Sequence, residues 1–170
     1  MQIAETPRLI ISKITLKDSK FFHELVNTPH WLKYIGDRNI KTVNDAKTYL
    51  KNITLKSYAD FGFGFYKLQF KEDAKKTIGI CGLVKREQLE DVEIGFALLP
   101  EYENKGYGFE ASLAVLDLAK DMFLLKKITA ITLPTNKSSI KLLEKLGLSF
   151  EKTIKPFDDG VELLLFAKTL

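Results

Sequence analysis

Pro100-Glu101-Tyr102-Glu103-Asn104-Lys105-Gly106-Tyr107-Gly108-Phe109-Glu110-Ala111 is the most informative run in this sequence. It lies between a strand-like run, Glu93 to Leu98, and a helix-like run that begins near Phe109. Its centre is a short glycine loop that opens a helix. The first N–H groups of a helix lack intrahelical partners, all point one way, and are reinforced by the helix dipole. Such a terminus attracts phosphate. A glycine pair in front of a helix is also an ordinary structural turn, so on spacing alone both readings stand.

Other phosphate motifs fit poorly. A Walker-type loop requires Gly-Lys-Ser/Thr after a spaced glycine, and no such string occurs. A dinucleotide fingerprint would tolerate Ala111 in place of its third glycine. It would also need an acidic residue at the end of the next strand, but the run Ile128 to Leu133 ends in Pro134-Thr135-Asn136.

Composition narrows the class. The chain has 170 residues, 45% of them hydrophobic and 28% charged, which fits one globular domain spanning 1–170. No apolar run is long enough to predict a membrane span. The N-terminus, Met1-Gln2-Ile3-Ala4-Glu5, has no basic region ahead of an apolar stretch, so no secretion signal is expected. One cysteine, Cys81, excludes an internal disulfide and a multi-cysteine metal site, and makes the cytoplasm the default compartment. A net charge of +4 suits a polyanionic ligand, but solvated helix faces account for most of the lysines. Direct nucleic-acid binding is not expected.

The periodicities order the elements. Arg8 to Ile14 reads as a strand. Thr15-x-x-Asp18 and Thr42-x-x-Asp45 are helix-start signals, ahead of Ser19 to Val26 and of a helix to about Ile53. Pro29 to Asn39 is an aromatic-bearing loop or short helix. Phe61 to Phe70 and Thr77 to Arg86 form a hairpin, followed by the strand Val92 to Leu98. The helix Phe109 to Phe123 and the strand Lys127 to Leu133 complete a β-α-β unit. Asn136 opens a helix that Gly147 closes, and the strands Ser149 to Lys155 and Val161 to Lys168 end the chain.

In this order and spacing the chain resembles the GCN5-related N-acetyltransferases (GNAT), and within them the RimJ/RimL-like branch that acetylates ribosomal-protein N-termini. Glu5-Thr6-Pro7-Arg8-Leu9-Ile10, Glu93-Ile94-Gly95-Phe96, the loop itself, Asn136-Lys137-Ser138-Ser139 and Glu144-Lys145-Leu146-Gly147 carry the resemblance. It implies a single α/β GNAT-type domain. The sheet would be mixed and mostly antiparallel, of about six to seven strands with splayed central strands, joined by about four helices.

The resemblance also implies acetyl-CoA as co-substrate, with no metal. Backbone N–H groups of Asn104, Lys105, Gly106, Tyr107 and Gly108 would cradle its pyrophosphate, and Phe96, Ala97 and Leu98 would pair with the pantetheine arm. Glu103 stands where the family commonly has Arg, Gln or an aromatic residue. Asn136 serves as a helix cap on ordinary grounds, and by resemblance contacts pantetheine or a catalytic water. Ser139 is an ordinary helix-surface serine, or by resemblance the donor of a proton to the leaving thiolate; the tyrosine that many relatives use is absent from this helix.

Glu93 is either an exposed strand carboxylate or the general base, with Gly95 and Ala97 leaving room for a ligand on its side of the strand. His30 and Trp31 would pack or line the acceptor site. Cys81 reads as inert core and Glu110 as structural. The expected acceptor is a primary amine, either a peptide N-terminus or a small amine such as a polyamine, amino acid or antibiotic. The expected assembly is a monomer or homodimer. A non-catalytic acyl-CoA-binding module and a nucleotide-binding domain are the competing classes.

Overall fold

Two alternations meet in this chain. Period-two strands build one sheet, and period-3.6 segments cover it. The computed structural model describes residues 1–170. The strands are β1 (Gln2–Glu5), β2 (Leu9–Lys13), β3 (Phe65–Phe70), β4 (Thr77–Val84), β5 (Glu93–Leu98), β6 (Lys127–Thr132), β7 (Ser149–Ile154) and β8 (Leu163–Thr169). They form one eight-stranded sheet in the order β1-β2-β3-β4-β5-β6-β8-β7. Every neighbouring pair is antiparallel except β5 and β6, which run parallel.

The helices are α1 (Ser19–Val26), α2 (Pro29–Tyr34), α3 (Val43–Tyr49), α4 (Lys56–Phe61), α5 (Tyr107–Asp117) and α6 (Lys137–Lys145). A π-helical stretch, Leu50–Leu55, runs α3 into α4, and another, Leu118–Met122, prolongs α5. Counting α3 to α4 as one rod gives five rods where about four were expected, and eight strands where six or seven were expected.

The differences have local causes. β1 is only four residues long and lies at the sheet edge, too short to show an alternation. The helical run from Val43 continues to Phe61 and stops where Gly62 turns left-handed at φ 80°, its N–H donating to the Tyr58 carbonyl. Phe61 and Phe63, which look like strand aromatics, instead stack on each other across that turn, with ring centroids 5.9 Å apart. The strand expected from Phe61 therefore starts at Phe65.

Both helix-start signals act as read. Thr15 and Asp18 form a reciprocal capping box on the 3-10 turn (Leu16–Asp18) before α1, and Thr42 and Asp45 form one on α3. Gly147 closes α6 in a Schellman arrangement: its N–H reaches the Glu144 carbonyl, and the Leu148 N–H reaches that of Leu143. No helix is long and apolar enough to cross a membrane.

A single cluster of 30 buried apolar residues forms the core. Helix α5 covers the sheet face that carries Cys81, whose Sγ lies 3.7 Å from the Ser112 Oγ on α5. Burial pushes the Cys81 thiol up to about 12, as befits an inert core sulfur.

The N-terminal segment is clasped to α5 by Glu110. Its carboxylate accepts from the Thr6 hydroxyl at 2.5 Å, the Arg8 backbone N–H at 2.8 Å and the Arg8 Nε at 2.6 Å. Partial burial raises the Glu110 carboxyl, but the hydrogen bonds from Thr6 and Arg8 and the Arg8 charge outweigh it, and the net shift is below the ordinary 4.5. A carboxyl depressed in the folded state contributes stability that is fully present above its unfolded value and is lost as pH falls through the folded one. Glu110→Gln is therefore expected to lower the urea midpoint at neutral pH. The gap to the wild-type protein should close as pH is taken from about 5 toward about 3. A gap that stays constant across that range would show that the Glu110 charge contributes nothing.

Candidate active site

The parallel junction between β5 and β6 is where the sheet opens. Its ladder holds one pair, Glu93 with Thr129, whereas β4 and β5 pair continuously from Val84–Glu93 to Gly79–Leu98. The Thr129 N–H donates to the Val92 carbonyl at 2.9 Å, and the Leu99 N–H donates the other way, to Ile78 on the β4 side, also at 2.9 Å. Strand backbone groups alternate between neighbours, so even-numbered residues of β5 face β6 and odd-numbered ones face β4. Past Ile94, the N–H and C=O groups of Phe96 and Leu98 thus look into the gap without a strand partner. Ala97 directs its backbone to Ile80 of β4. Of the three residues expected to pair with a ligand through their backbone, two are suitably turned.

The glycine loop closes the wide end of that gap. Leu99 leads into a 3-10 turn (Pro100–Tyr102), then Asn104 and Gly106 take left-handed conformations at φ 57° and 82°. Asparagine tolerates that region and glycine is free in it. Gly106 is the N-cap of α5 and no side chain caps the helix; the first intrahelical bond is Glu110 N–H to the Gly106 carbonyl, at 3.0 Å. The N–H groups of Tyr107, Gly108 and Phe109 are consequently free of intrahelical partners. Asn104, Lys105 and Gly106 are exposed, and Gly108 is buried. A side chain at Gly108 would meet Leu98 of β5 at 3.8 Å and Leu142 of α6 at 3.6 Å, so the strand end, the loop and α6 converge there. These residues fit a pyrophosphate group: donors without partners, on backbone, at the positive end of an eleven-residue helix. Glu103 lies outside the cradle's demands, its Oε1 held 3.4 Å from His30 Nδ1 on α2.

Glu93 sits at the closed end of the gap and is 6% exposed, so it is not the solvated carboxylate that a strand glutamate often is. Its Oε2 accepts from Arg86 Nε. Burial raises the Glu93 carboxyl; the charge and hydrogen bond of Arg86, and the charge of Arg38, pull the other way, and the net direction is up. Gly95 does not leave room for a ligand as expected. The Phe65 ring from β3 lies 3.0 Å from where its Cβ would be, filling the space in the way aromatics cover strand glycines.

Arg86 was not anticipated, though the signal was present. The β4–β5 hairpin pairs Val84, the last residue of β4, with Glu93, and Arg86 follows two residues later, where an extended chain returns its side chain to the same face. Its guanidinium also lies 5.5 Å from the centroid of the Phe157 ring, in the turn between β7 and β8. A cleft of about 390 Å³ opens beside Glu93's pairing partner, bordered by Asp91, Lys127, Thr129, Lys155 and Pro156.

The remaining expected residues divide. Asn136 is buried and caps α6, its Oδ1 accepting from the Ser139 N–H at 3.3 Å and from the Ser138 hydroxyl at 3.1 Å. Ser139 is half-buried in the first turn of α6, and its hydroxyl makes no hydrogen bond within the chain. Trp31 is a core residue, 7% exposed, its Nε1 donating to the Gly36 carbonyl at 3.1 Å and its ring edge-on to Phe22. A tryptophan on a helix this short is drawn inward because it buries more apolar area than any neighbour. His30, one residue earlier, stays half-exposed between Glu103 and the Tyr34 ring.

Known proteins share this arrangement. The acetyltransferase (GNAT) domain family matches residues 8–149. A Bacillus subtilis (strain 168) protein, the uncharacterized N-acetyltransferase YnaD, is 30% identical over 150 residues, covering 88% of this chain and 84% of its own. The solved structure of a GNAT-family acetyltransferase from Bacillus anthracis superposes with a TM-score of 0.79 at 25% identity, covering 99% of this chain and 98% of its own. RimL, a ribosomal L7/L12 α-N-protein acetyltransferase solved in complex with coenzyme A, shares the fold with a TM-score of 0.84 at 13% identity, covering 100% of this chain and 98% of its own. Because the matched segment takes in the strand gap, the glycine loop and α6 together, the chain belongs to the GNAT acetyltransferase family and is an acyltransferase.

Proposed function

We propose that the enzyme transfers an acetyl group from acetyl-CoA to the α-amine of a protein or peptide, as the RimJ/RimL-like branch does, by direct transfer in a ternary complex. The observation that carries the reading is the single-pair β5–β6 junction, opening directly onto the uncapped start of α5. An extended pantetheine arm would complete the broken sheet through Phe96 and Leu98. The pyrophosphate would take the N–H groups of the Asn104–Gly108 loop and the first turn of α5. Acetyl-CoA supplies the activated acyl group as a thioester, and no metal is invoked.

In this scheme Glu93, through water, accepts the proton that the acceptor ammonium must lose before its nitrogen can attack the thioester carbon. Burial raises its carboxyl, which makes it a stronger base than a solvated glutamate, while the Arg86 guanidinium opposes that rise and aims the group. A backbone N–H in the Phe96 to Leu98 segment that the pantetheine arm leaves free would stabilise charge developing on the carbonyl oxygen. The Ser139 hydroxyl, free of partners within the chain, passes its proton to the departing thiolate and regains one from the attacking nitrogen, which sheds its remaining extra proton as the amide forms. Asn136 orients that serine by fixing the first turn of α6.

The acceptor follows from charge. A polyamine would be expected to meet a cluster of acids, but Glu93 is neutralised by Arg86 with Arg38 nearby, and the adjoining cleft balances Glu90, Asp91 and Glu151 against Lys127, Lys152 and Lys155. A peptide N-terminus, with one cationic group and a polar backbone, suits that lining better. RimL provides a precedent in the fold for a protein α-amine acceptor.

Gly106→Val is expected to weaken acetyl-CoA binding by roughly tenfold or more in calorimetry, since the left-handed φ costs a branched residue about 1–2 kcal/mol and its Cβ would crowd Arg8. An unchanged affinity in a folded variant would remove the loop from the cofactor site. Glu93→Gln is expected to lower kcat by about a hundredfold near neutral pH, with acetyl-CoA affinity intact. Thiol-release assays on a panel of peptides and small amines would measure it. Wild-type turnover confined to polyamines would overturn the acceptor assignment.

A further inference from the structure

Arg8 lies far from β5 in sequence and touches neither Glu93 nor α6, yet it grips the glycine loop from behind. Its Nη1 donates to the Lys105 carbonyl at 3.0 Å, and its Nε donates to Glu110 Oε2 at 2.6 Å. Its guanidinium carbon lies 4.3 Å from the centroid of the Tyr107 ring. A Cβ on Gly106 would come within 3.2 Å of its Nη2. The one side chain thus contacts or borders every residue from Lys105 to Tyr107 and reaches the helix turn behind them.

The consequence follows from peptide geometry. A trans peptide is planar, and its C=O and N–H point in opposite directions. Drawing the Lys105 carbonyl toward Arg8 turns the Gly106 N–H the other way, outward from the clasp. Stacking on Tyr107 fixes the next residue, at the start of α5. Glu110 holds the guanidinium from the side through charge-assisted bonds, and Thr6 shares that carboxylate while its own Oγ1 accepts from the Leu9 N–H at 2.9 Å. The planar fork of arginine meets a carboxylate, a carbonyl and a ring at once, and a lysine ammonium has no equivalent.

We propose that Arg8, seated by Thr6 and Glu110, is a positioning element that sets the Lys105–Gly106 peptide for pyrophosphate binding, and so governs affinity for the nucleotide end of coenzyme A without touching the reacting atoms. The inference rests on the reading of this loop as the pyrophosphate cradle. Arg8 contacts no group of the proposed acceptor site. Its removal affects the KM for acetyl-CoA and leaves kcat at saturation and the acceptor KM in place.

The test uses the full chain with Arg8→Ala, Arg8→Lys and Thr6→Val, and two probes, coenzyme A and pantetheine, which lacks the pyrophosphate. Arg8→Ala is expected to weaken coenzyme A by roughly tenfold, the scale of losing charge-assisted hydrogen bonds, while pantetheine binding stays within about twofold. Arg8→Lys should fail to restore affinity, and Thr6→Val should fall between wild type and Arg8→Ala. Equal coenzyme A affinity in wild type and Arg8→Ala would overturn the proposal, and so would equal weakening of both probes, the mark of a general structural defect. A wild-type protein that does not bind coenzyme A would instead overturn the cradle reading itself. Should Arg8→Ala not fold, Thr6→Val decides alone: selective loss of coenzyme A supports the positioning role, and unchanged affinity refutes it.

Discussion

The site depends on one unmade set of hydrogen bonds. A parallel pair of strands normally continues its ladder for as long as both strands run, because a buried backbone group without a partner is costly. β5 and β6 stop after Glu93–Thr129. What separates them is the connection: a left-handed loop and the long rod of α5 leave the end of β5 on one side, and α6 begins just past β6 on the other. Leu98 and Leu142 both approach Gly108 at the mouth of the opening. The unpaired edge of β5 there is available to an extended ligand, much as a sheet edge is available to a peptide.

The loop has the complementary problem. A cradle made from backbone N–H groups is selective only if the peptides are held in orientation before the ligand arrives, since ordering them on binding would use up the affinity gained. Asn104 and Gly106 permit the left-handed turns but do not by themselves choose among the conformations open to them. The choice is made from outside by the N-terminal strand connection, through Arg8 and the buried side of Glu110. This explains why a glutamate that reads from sequence as a simple dipole complement in the first turn of α5 accepts three hydrogen bonds from residues about a hundred positions away.

Features governed by local rules were legible in the sequence. The capping boxes at Thr15 and Thr42, the Gly147 cap, the β-α-β order and the helix-opening loop each depend on residues within a turn of one another, and the chain carries those signals openly. Features governed by who meets whom were not. Gly95 looks like space until β3 pairs in register with β4 and carries Phe65 across Gly82 to fill it. Trp31 and His30 are adjacent and equally aromatic, but the helical turn sends one to the core and the other to Glu103. The π-helical stretch after Tyr49 has no sequence punctuation at all, which is why a helix expected to end near Ile53 continues into α4.

Arg86 shows why the second kind of information matters for chemistry. Glu93 buried alone would be held protonated, since the penalty for a lone ion in the interior is several kcal/mol. A protonated carboxyl accepts no proton. Glu93 fully solvated would be ionised but weakly basic, near the ordinary value of 4.5. In this structure burial raises the carboxyl, and the Arg86 and Arg38 charges oppose that rise. Sequence alone presents a glutamate at the head of a strand, a common residue in a common place. It becomes a credible base only when the hairpin register brings an arginine two residues past Val84 onto its face, and the same register leaves the surrounding charge balanced rather than acidic. Basicity and acceptor preference in the proposed reaction then have one origin, the pairing of β4 with β5.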